Sequence, residues 1–141
     1  MRRFYGELWN RWRFELAGEL LAPELEFRSS LGDAVVGRDG FVAYAERVRA
    51  AFPDFRNDVE ELVVGHGHAA ARLRYSGRHE GVIFGVPPTG SAVSYAGAAF
   101  FTFDDKARIR RAWVLGDLVA LFRQLGLREL PEGAVLDDSA G

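Results

Sequence analysis

The sequence predicts one α+β domain in which N-terminal helices pack on a bent antiparallel sheet. Apolar residues recur at spacings of three and four as far as Phe52, which is the spacing of a helix with one buried face. From residue 57 onward apolar and polar residues alternate, which is typical of half-buried strands. Because the chain has 141 residues, we expect a single domain over 1–130 and a flexible C-terminal tail over 131–141.

The first predicted helix spans residues 2–21, with a break expected at Asn10 or Gly18. Pro23 ends it, because proline has no amide hydrogen to donate and its ring clashes with the preceding turn. A short strand is expected at 25–28. The buried face of this helix is formed by Phe4, Tyr5, Leu8, Trp9, Trp12, Leu16, Leu20 and Leu21.

A second, clearer helix begins near Asp39 and is closed by Pro53. A carboxylate near a helix start is favourable, because it faces free amides and the positive end of the helix dipole. The buried face of this helix follows a spacing of three and four through Phe41, Tyr44, Ala45, Val48 and Phe52.

The rest of the chain predicts a meander of strands joined by turns. We expect strands at 57–64, 69–76, 92–103 and 108–117, turns at 65–68, 87–90 and 104–106, a short segment at 81–85 and a helical or irregular end at 118–126. A bent sheet covered by helices leaves a hollow between them, which is a natural place for an apolar ligand.

The composition excludes several classes of function. The chain has no cysteine, so disulfides and thiolate chemistry are excluded. Its formal net charge of −2 shows no basic excess of the kind that nucleic-acid binding needs. No apolar run approaches the ~20 residues that span a membrane, and the N-terminus does not resemble a secretion signal. We therefore expect a cytoplasmic protein without nucleic-acid or membrane partners.

Asp117 is the first candidate for chemistry. If the last strand continues to its end with period two, Ile109, Trp113, Leu115 and Asp117 share one apolar face. Desolvation on such a face raises the pKa of a carboxyl and makes it a better general base near neutral pH. The alternative interpretation is that the strand ends at residue 115 and that Asp117 caps the following turn.

His79 is the second candidate, because it lies beside glycines at the end of a strand. A neutral imidazole there acts as an acid or donates a hydrogen bond to a developing enolate oxygen. The alternative is a structural histidine that bonds the backbone.

Other motifs favour structural interpretations. His66 and His68 lie in a glycine-rich turn without a third ligand nearby, so we expect no metal site. Asp104 and Asp105 indicate a turn. Trp9, Tyr44 and Phe52 are predicted to be core residues, with ligand contact as the alternative.

Three segments of the chain form a recognisable set. The central one is Gly77-Arg78-His79-Glu80-Gly81 continuing to Gly90, the second is Ala51-Phe52-Pro53-Asp54-Phe55, and the third is Trp113-Val114-Leu115-Gly116-Asp117 continuing to Gly126. In order and spacing they resemble the SnoaL-like polyketide cyclases and their ester cyclase relatives. The resemblance covers roughly residues 3–126. It implies a cone of the nuclear-transport-factor-2-like (NTF2-like) type, with a curved antiparallel sheet, helices that close it, a deep apolar pocket and a homodimer packed sheet to sheet.

The resemblance also implies a reaction. In family members that cyclise polyketides, the Asp matching Asp117 removes a proton from an activated carbon, and the enolate closes a ring by intramolecular aldol attack. Neither a metal nor an organic cofactor takes part. The cyclases resemble one another in a His on the preceding strand, whereas that strand here, 98–103, has none.

Three hypotheses follow from the sequence. The first is a cyclase or isomerase acting on an apolar carbonyl compound, with Asp117 as the base and His79 as an acid or donor. Its pocket walls are predicted to be Trp113, Phe52, Phe84, Tyr44 and Trp9. The second is a pocket that binds a hydrophobic small molecule without catalysis, and the third is an interaction module. Hydrolysis of an epoxide or ester by a water held on Asp117 is a further alternative within the enzyme class.

Overall fold

The computed structural model describes residues 1–127, so the predicted domain end at 130 and the tail at 131–141 lie outside the described residues. Its strands are β1 (Leu21–Arg28), β2 (Ala34–Val36), β3 (Arg56–Gly65), β4 (His68–Arg78), β5 (Ala92–Phe103) and β6 (Ile109–Gly116). Its helices are an N-terminal helix (Phe4–Trp9), a single turn (Phe14–Leu16), α1 (Ala17–Leu20), α2 (Gly37–Ala51) and α3 (Leu118–Gln124).

The strands form one curved, open sheet in the order β2-β1-β6-β5-β4-β3. Neighbouring strands are antiparallel except for β1 and β6, which are parallel. The predicted α+β class is therefore confirmed, with one parallel pair that the predicted meander did not include. This pair joins the first and the last strand of the sheet.

Helices cover one side of the sheet, which we call the inner face. Period-two alternation along β4 places Ala69, Ala71, Leu73 and Tyr75 inward, while Arg72 and Arg74 are exposed on the outer face. The inner face packs against Phe41, Tyr44, Ala45 and Val48 of α2 and against Phe4, Tyr5, Leu8 and Trp9 of the N-terminal helix. Burying a large apolar side chain of this kind stabilises the fold by about 1.5–3 kcal/mol.

The first predicted helix is broken at Asn10, as expected, and Trp12 turns the chain with a φ of 55°. The Asn10 side chain pairs with the backbone of Asn57: its Nδ2 donates to the Asn57 carbonyl at 2.9 Å, and its Oδ1 accepts from the Asn57 amide at 2.7 Å. Two hydrogen bonds thus tie the end of the N-terminal helix to β3.

Pro23 does not end a helix, contrary to the prediction, because α1 ends at Leu20 and β1 begins at Leu21. The proline lies in β1 where pairing with β6 is interrupted between Leu21 and Glu26. At such an irregularity the missing amide hydrogen of a proline does not remove a hydrogen bond from the sheet.

A bulge in β6 changes which residues of the last strand share a face, compared with the prediction. Thr102 pairs with Arg111 and Phe103 with Ile109, so Arg110 is an extra residue. One extra residue exchanges the two faces for everything that follows it. Ile109 therefore points inward, whereas Trp113 and Leu115 lie on the outer face, and the predicted common face of Ile109, Trp113, Leu115 and Asp117 is wrong.

Within residues 1–127, none of the helices is both long enough and apolar enough to cross a membrane.

Candidate functional site

A narrow cavity, here called the inner cavity, lies between the inner face of the sheet, α2 and the N-terminal helix. Its volume is about 20 Å³, which is room for about one water molecule. The wall is largely aromatic and includes Phe4, Tyr5, Trp9, Phe27, Tyr44, Phe52, Phe55, Tyr75 and Tyr95, together with the polar residues Ser30 and Asn57. A more open hollow of about 250 Å³ adjoins it at Leu31, Tyr44 and Val48.

All four tyrosines of the chain line the inner cavity. Tyr75 and Tyr95 are cross-strand partners on β4 and β5, with ring centroids 5.0 Å apart. Tyr5 comes from the N-terminal helix and Tyr44 from α2. Four elements that are distant in sequence therefore converge their phenol rings on one space.

Two facing glycines make room for the sheet tyrosines. Gly97 on β5 pairs with Gly116 on β6. A Cβ added at Gly97 would clash with the ring of Tyr75, whose hydroxyl oxygen lies 2.9 Å from that position. A Cβ at Gly116 would lie 3.2 Å from Cε2 of Tyr95 and 2.9 Å from the carbonyl oxygen of Ser30. The rings occupy the volume that side chains at these two positions would need.

Burial keeps the tyrosine hydroxyls protonated. It raises the pKa of Tyr95 to about 12, and it raises the pKa values of Tyr5, Tyr44 and Tyr75 far above the ordinary value of 10. The Tyr95 hydroxyl lies 3.5 Å from Oγ of Ser30. At neutral pH these phenols are hydrogen-bond donors and acceptors, and not bases.

Asp117 lies outside the inner cavity and is exposed. Its Oδ1 accepts a hydrogen bond from the Ala120 amide at 3.1 Å and caps α3, so the capping interpretation is confirmed as a structural role. The preceding residue, Gly116, is close to Ser30 and Tyr95, both of which line the cavity. The carboxylate is therefore not part of the cavity wall.

His79 is fully buried and holds both ends of the loop 80–90 together. Its backbone amide donates to the Ser91 carbonyl and its carbonyl accepts from the Gly90 amide, each at 2.9 Å. Its Nδ1 accepts from the Thr89 amide at 3.1 Å, and its ring centroid lies 5.6 Å from that of Phe52. Among residues 1–127 no hydrogen bond joins His79 to Asp117, and His79 does not line the inner cavity.

The other predicted wall residues divide into three groups. Phe52, Tyr44 and Trp9 line the inner cavity. Phe84 lines the adjoining hollow and packs edge-on against Phe122 of α3 at 5.0 Å. Trp113 does not belong to the site: it is 42% exposed on the outer face, because the bulge in β6 turns it away from the cavity.

The sequence interpretation missed Tyr5, Tyr75, Tyr95, Asn57 and Ser30 as site residues. Part of the signal was present, because glycine within a strand often marks the close approach of another group. Gly97 and Gly116 are such glycines, and each contacts one of the missed tyrosines. In the part of the chain that the structure describes, no group of three or more His, Asp or Glu could hold a metal ion.

The model of the SnoaL-like polyketide cyclase family matches residues 1–125. No curated protein sequence matches the chain. The fold is similar to that of TsrD from Streptomyces laurentii, with 28% identity, a TM-score of 0.78, and coverage of 89% of this chain and 91% of that one.

Two further solved structures are similar. A SnoaL-like polyketide cyclase from Agrobacterium tumefaciens has 29% identity, a TM-score of 0.74, and coverage of 87% of this chain and 93% of its own. IdmH from Streptomyces antibioticus, a proposed polyketide cyclase, has 29% identity, a TM-score of 0.74, and coverage of 88% and 94%. Residues 1–125, which the family model matches, include the inner face and the helices that form the cavity.

Proposed function

Because the chain belongs to the SnoaL-like polyketide cyclase family, we propose that it is a cyclase or isomerase acting on an apolar carbonyl compound at the inner cavity. The observation that carries the proposal is that all four tyrosines line one largely aromatic cavity. Such a wall favours a flat apolar ligand, and the hydroxyls favour a ligand that carries oxygen acceptors.

In the proposed reaction the tyrosine hydroxyls bind the carbonyl oxygen and stabilise the charge that develops on it. Asp117 accepts a proton from the carbon next to the carbonyl, and the electrons of that C–H bond form the enolate. In a cyclisation the enolate carbon bonds to a second carbonyl of the same molecule. The proton then passes from Asp117 to the new alkoxide oxygen, so neither an oxidant nor a cofactor is needed.

A substrate larger than one water molecule requires the inner cavity to open. Opening toward the adjoining hollow is the shortest route, because Leu31, Tyr44 and Val48 border both spaces. The loop over that hollow contains a tight turn at Phe84 and Gly85, with φ values of 50° and 73°. A left-handed phenylalanine costs of the order of 1 kcal/mol, which favours movement of this loop when a ligand enters.

Replacement of Asp117 by Asn tests the proposal. Asparagine caps a helix about as well as aspartate but does not accept a proton as a base. NMR measures how fast the activated C–H of a panel of polyketone esters exchanges for deuterium. We expect this exchange rate to be about 100-fold or more lower in Asp117→Asn. Unchanged exchange in this variant removes Asp117 from the mechanism.

The second candidate function is binding of a hydrophobic small molecule without catalysis. The exposure of Asp117 and the absence of a carboxylate from the described cavity wall favour it. Recovery of a tightly bound ligand unchanged after long incubation, with no deuterium exchange, supports this candidate over the enzyme.

We also propose a homodimer formed through the outer face of the sheet. Phe100, Trp113 and Leu115 are 54%, 42% and 51% exposed on neighbouring strands. Adjacent apolar side chains exposed on a sheet are unfavourable in water and favour a partner surface of the same kind.

A further inference from the structure

The side-chain amide of Asn57 is a buried polar group without a partner. Asn57 is 4% exposed and lines the inner cavity. Within residues 1–127, its Nδ2 has no hydrogen-bond partner. Leaving a buried donor unsatisfied costs roughly 1–3 kcal/mol, so such an atom in a cavity wall requires an explanation.

The backbone around Asn57 prevents the side chain from turning away. The Asn10 side chain forms hydrogen bonds with both the backbone amide and the backbone carbonyl of Asn57. The flanking residues Arg56 and Asp58 form an ion pair with Nε and Oδ1 2.8 Å apart, on the opposite side of β3. Because residues alternate along a strand, the Asn57 side chain is held on the inner face.

Asn57 also belongs to a polar row that crosses the inner face. It pairs with Tyr75 on β4, and Tyr75 pairs with Tyr95 on β5. The Tyr75 ring is held in place by stacking on Phe55, at a centroid distance of 5.8 Å and an interplanar angle of 14°. An amide and two phenols therefore lie side by side on three consecutive strands.

We propose that Asn57 is a ligand-binding residue whose Nδ2 donates a hydrogen bond to the oxygen of an aromatic or cyclic ketone in the inner cavity. This inference rests on the inner cavity as the site of the proposed function, but it does not depend on catalysis by Asp117.

The chemistry of the wall selects a neutral acceptor. The described wall contains no Lys, Arg, His, Asp or Glu side chain. A carboxylate or phosphate group would be buried there without a counter-charge, which is strongly unfavourable. A ketone oxygen has no such cost and accepts from the amide and the phenols together. Its apolar ring contacts the aromatic wall, and the water that fits the empty cavity is displaced.

Indanone and indane form a matched ligand pair, because the two molecules differ only at the ketone group. We expect calorimetry to show that the wild-type protein binds indanone about tenfold more tightly than indane, a difference typical of one good hydrogen bond. In Asn57→Leu, which removes the donor and keeps the volume, the preference for indanone should fall below about threefold while indane binding is kept.

A measurement on the wild-type protein keeps the test valid if Asn57→Leu does not fold. The side-chain amide resonances of Asn57 should move on addition of indanone and stay in place on addition of indane. Three results overturn the proposal: an undiminished preference for indanone in Asn57→Leu, no preference in the wild type, or a complex in which a water is still bound to Nδ2.

If neither ligand binds, the inner cavity is not the site and the proposed function fails with the inference. If indanone preference holds but Asp117→Asn is fully active, only the assigned base is wrong.

Discussion

Each face of the central strands carries residues that depart from the usual distribution of side chains. On the inner face Tyr75 and Tyr95 are 3% and 1% exposed, beside a buried asparagine. On the outer face Phe100 of β5 and Trp113 of β6 are 54% and 42% exposed. A buried polar group and an exposed apolar patch are the two observations that carry information about function, because each is unfavourable in an isolated domain.

The difference between the faces suggests two separate tasks. The inner face keeps its hydroxyls and one amide next to an unfilled space, which is the requirement of a ligand site. The outer face exposes an apolar patch of Phe100, Trp113 and Leu115, which is the requirement of an interface. Changes on one face should therefore leave the property of the other face intact.

High pH should have the largest effect, and it acts mainly through the four tyrosines of the inner cavity. The folded-state pKa values of all four tyrosines are raised, that of Tyr95 to about 12. Between the unfolded value of about 10 and the folded value, the unfolded chain loses protons that the folded chain keeps. The contribution of the tyrosines to the free energy of unfolding should therefore be fully present below pH 10. Above pH 10 the free energy of unfolding should fall by about 1.4 kcal/mol per pH unit for each tyrosine.

Denaturant titrations from pH 8 to 11.5 measure this loss, and phenolate absorbance should appear together with unfolding. The chain has four tyrosines and one lysine, so tyrosine dominates the slope. Tyr95→Phe should reduce the slope by about one proton. Ionisation of the tyrosines in the folded protein near pH 10, without loss of stability, contradicts the prediction.

Gly97→Ala should have the next largest effect. The new Cβ meets the ring of Tyr75, and overpacking of this kind costs about 1–3 kcal/mol. Gly65→Ala is the matched control, because it is also a strand glycine and no atom lies within 4 Å of the added Cβ. Thermal unfolding of both variants measures the difference. Equal melting temperatures would show that Tyr75 moves freely, against the proposed fixed row of donors.

Sequence periodicity was sufficient for α2 and the long strands, but it was insufficient for the start of β1, for β2 and for the faces of the last strand. Helix α2 and strand β5 lie where the spacing of Phe41, Tyr44, Val48 and the alternation over 92–103 place them. The bulge at Arg110 leaves no mark in the apolar pattern, yet it decides that Trp113 points outward. Assignments that depend on the parity of a strand therefore fail after an unrecognised bulge.

The candidate site was harder to predict than the fold, because it consists of contacts between distant segments. The Asn10 side chain bonds the backbone of Asn57, 47 positions away. The four tyrosines are at least 20 positions apart and come from two helical segments and two strands. Isolated residues of this kind form no repeating pattern in the sequence. That they share one environment can be recognised only in the folded sheet.

Trp113→Glu should affect the outer face alone. A buried tryptophan at the centre of an interface contributes about 2 kcal/mol or more, so we expect a roughly 30-fold weaker dimer. Sedimentation velocity over a range of concentrations measures the dimer affinity. Binding of indanone should not change in this variant. Val119→Glu is the control, because Val119 is also exposed but lies on α3. A wild-type chain that sediments as a monomer throughout overturns the proposed dimer.

Asp117 is exposed and caps α3, and substitutions there should have the smallest effect on stability. Asp117→Ala removes the cap on the Ala120 amide and should cost about 1 kcal/mol, whereas Asp117→Asn keeps the cap and should cost a few tenths. Because the two variants lose the carboxylate equally, they separate its structural role from its proposed chemical one. Equal loss of deuterium exchange in both, with a lower melting temperature only in Asp117→Ala, is the result expected of a base. Loss of exchange that follows the melting temperature instead assigns Asp117 to the helix cap alone, and the family's reaction must then proceed here with another base or not at all.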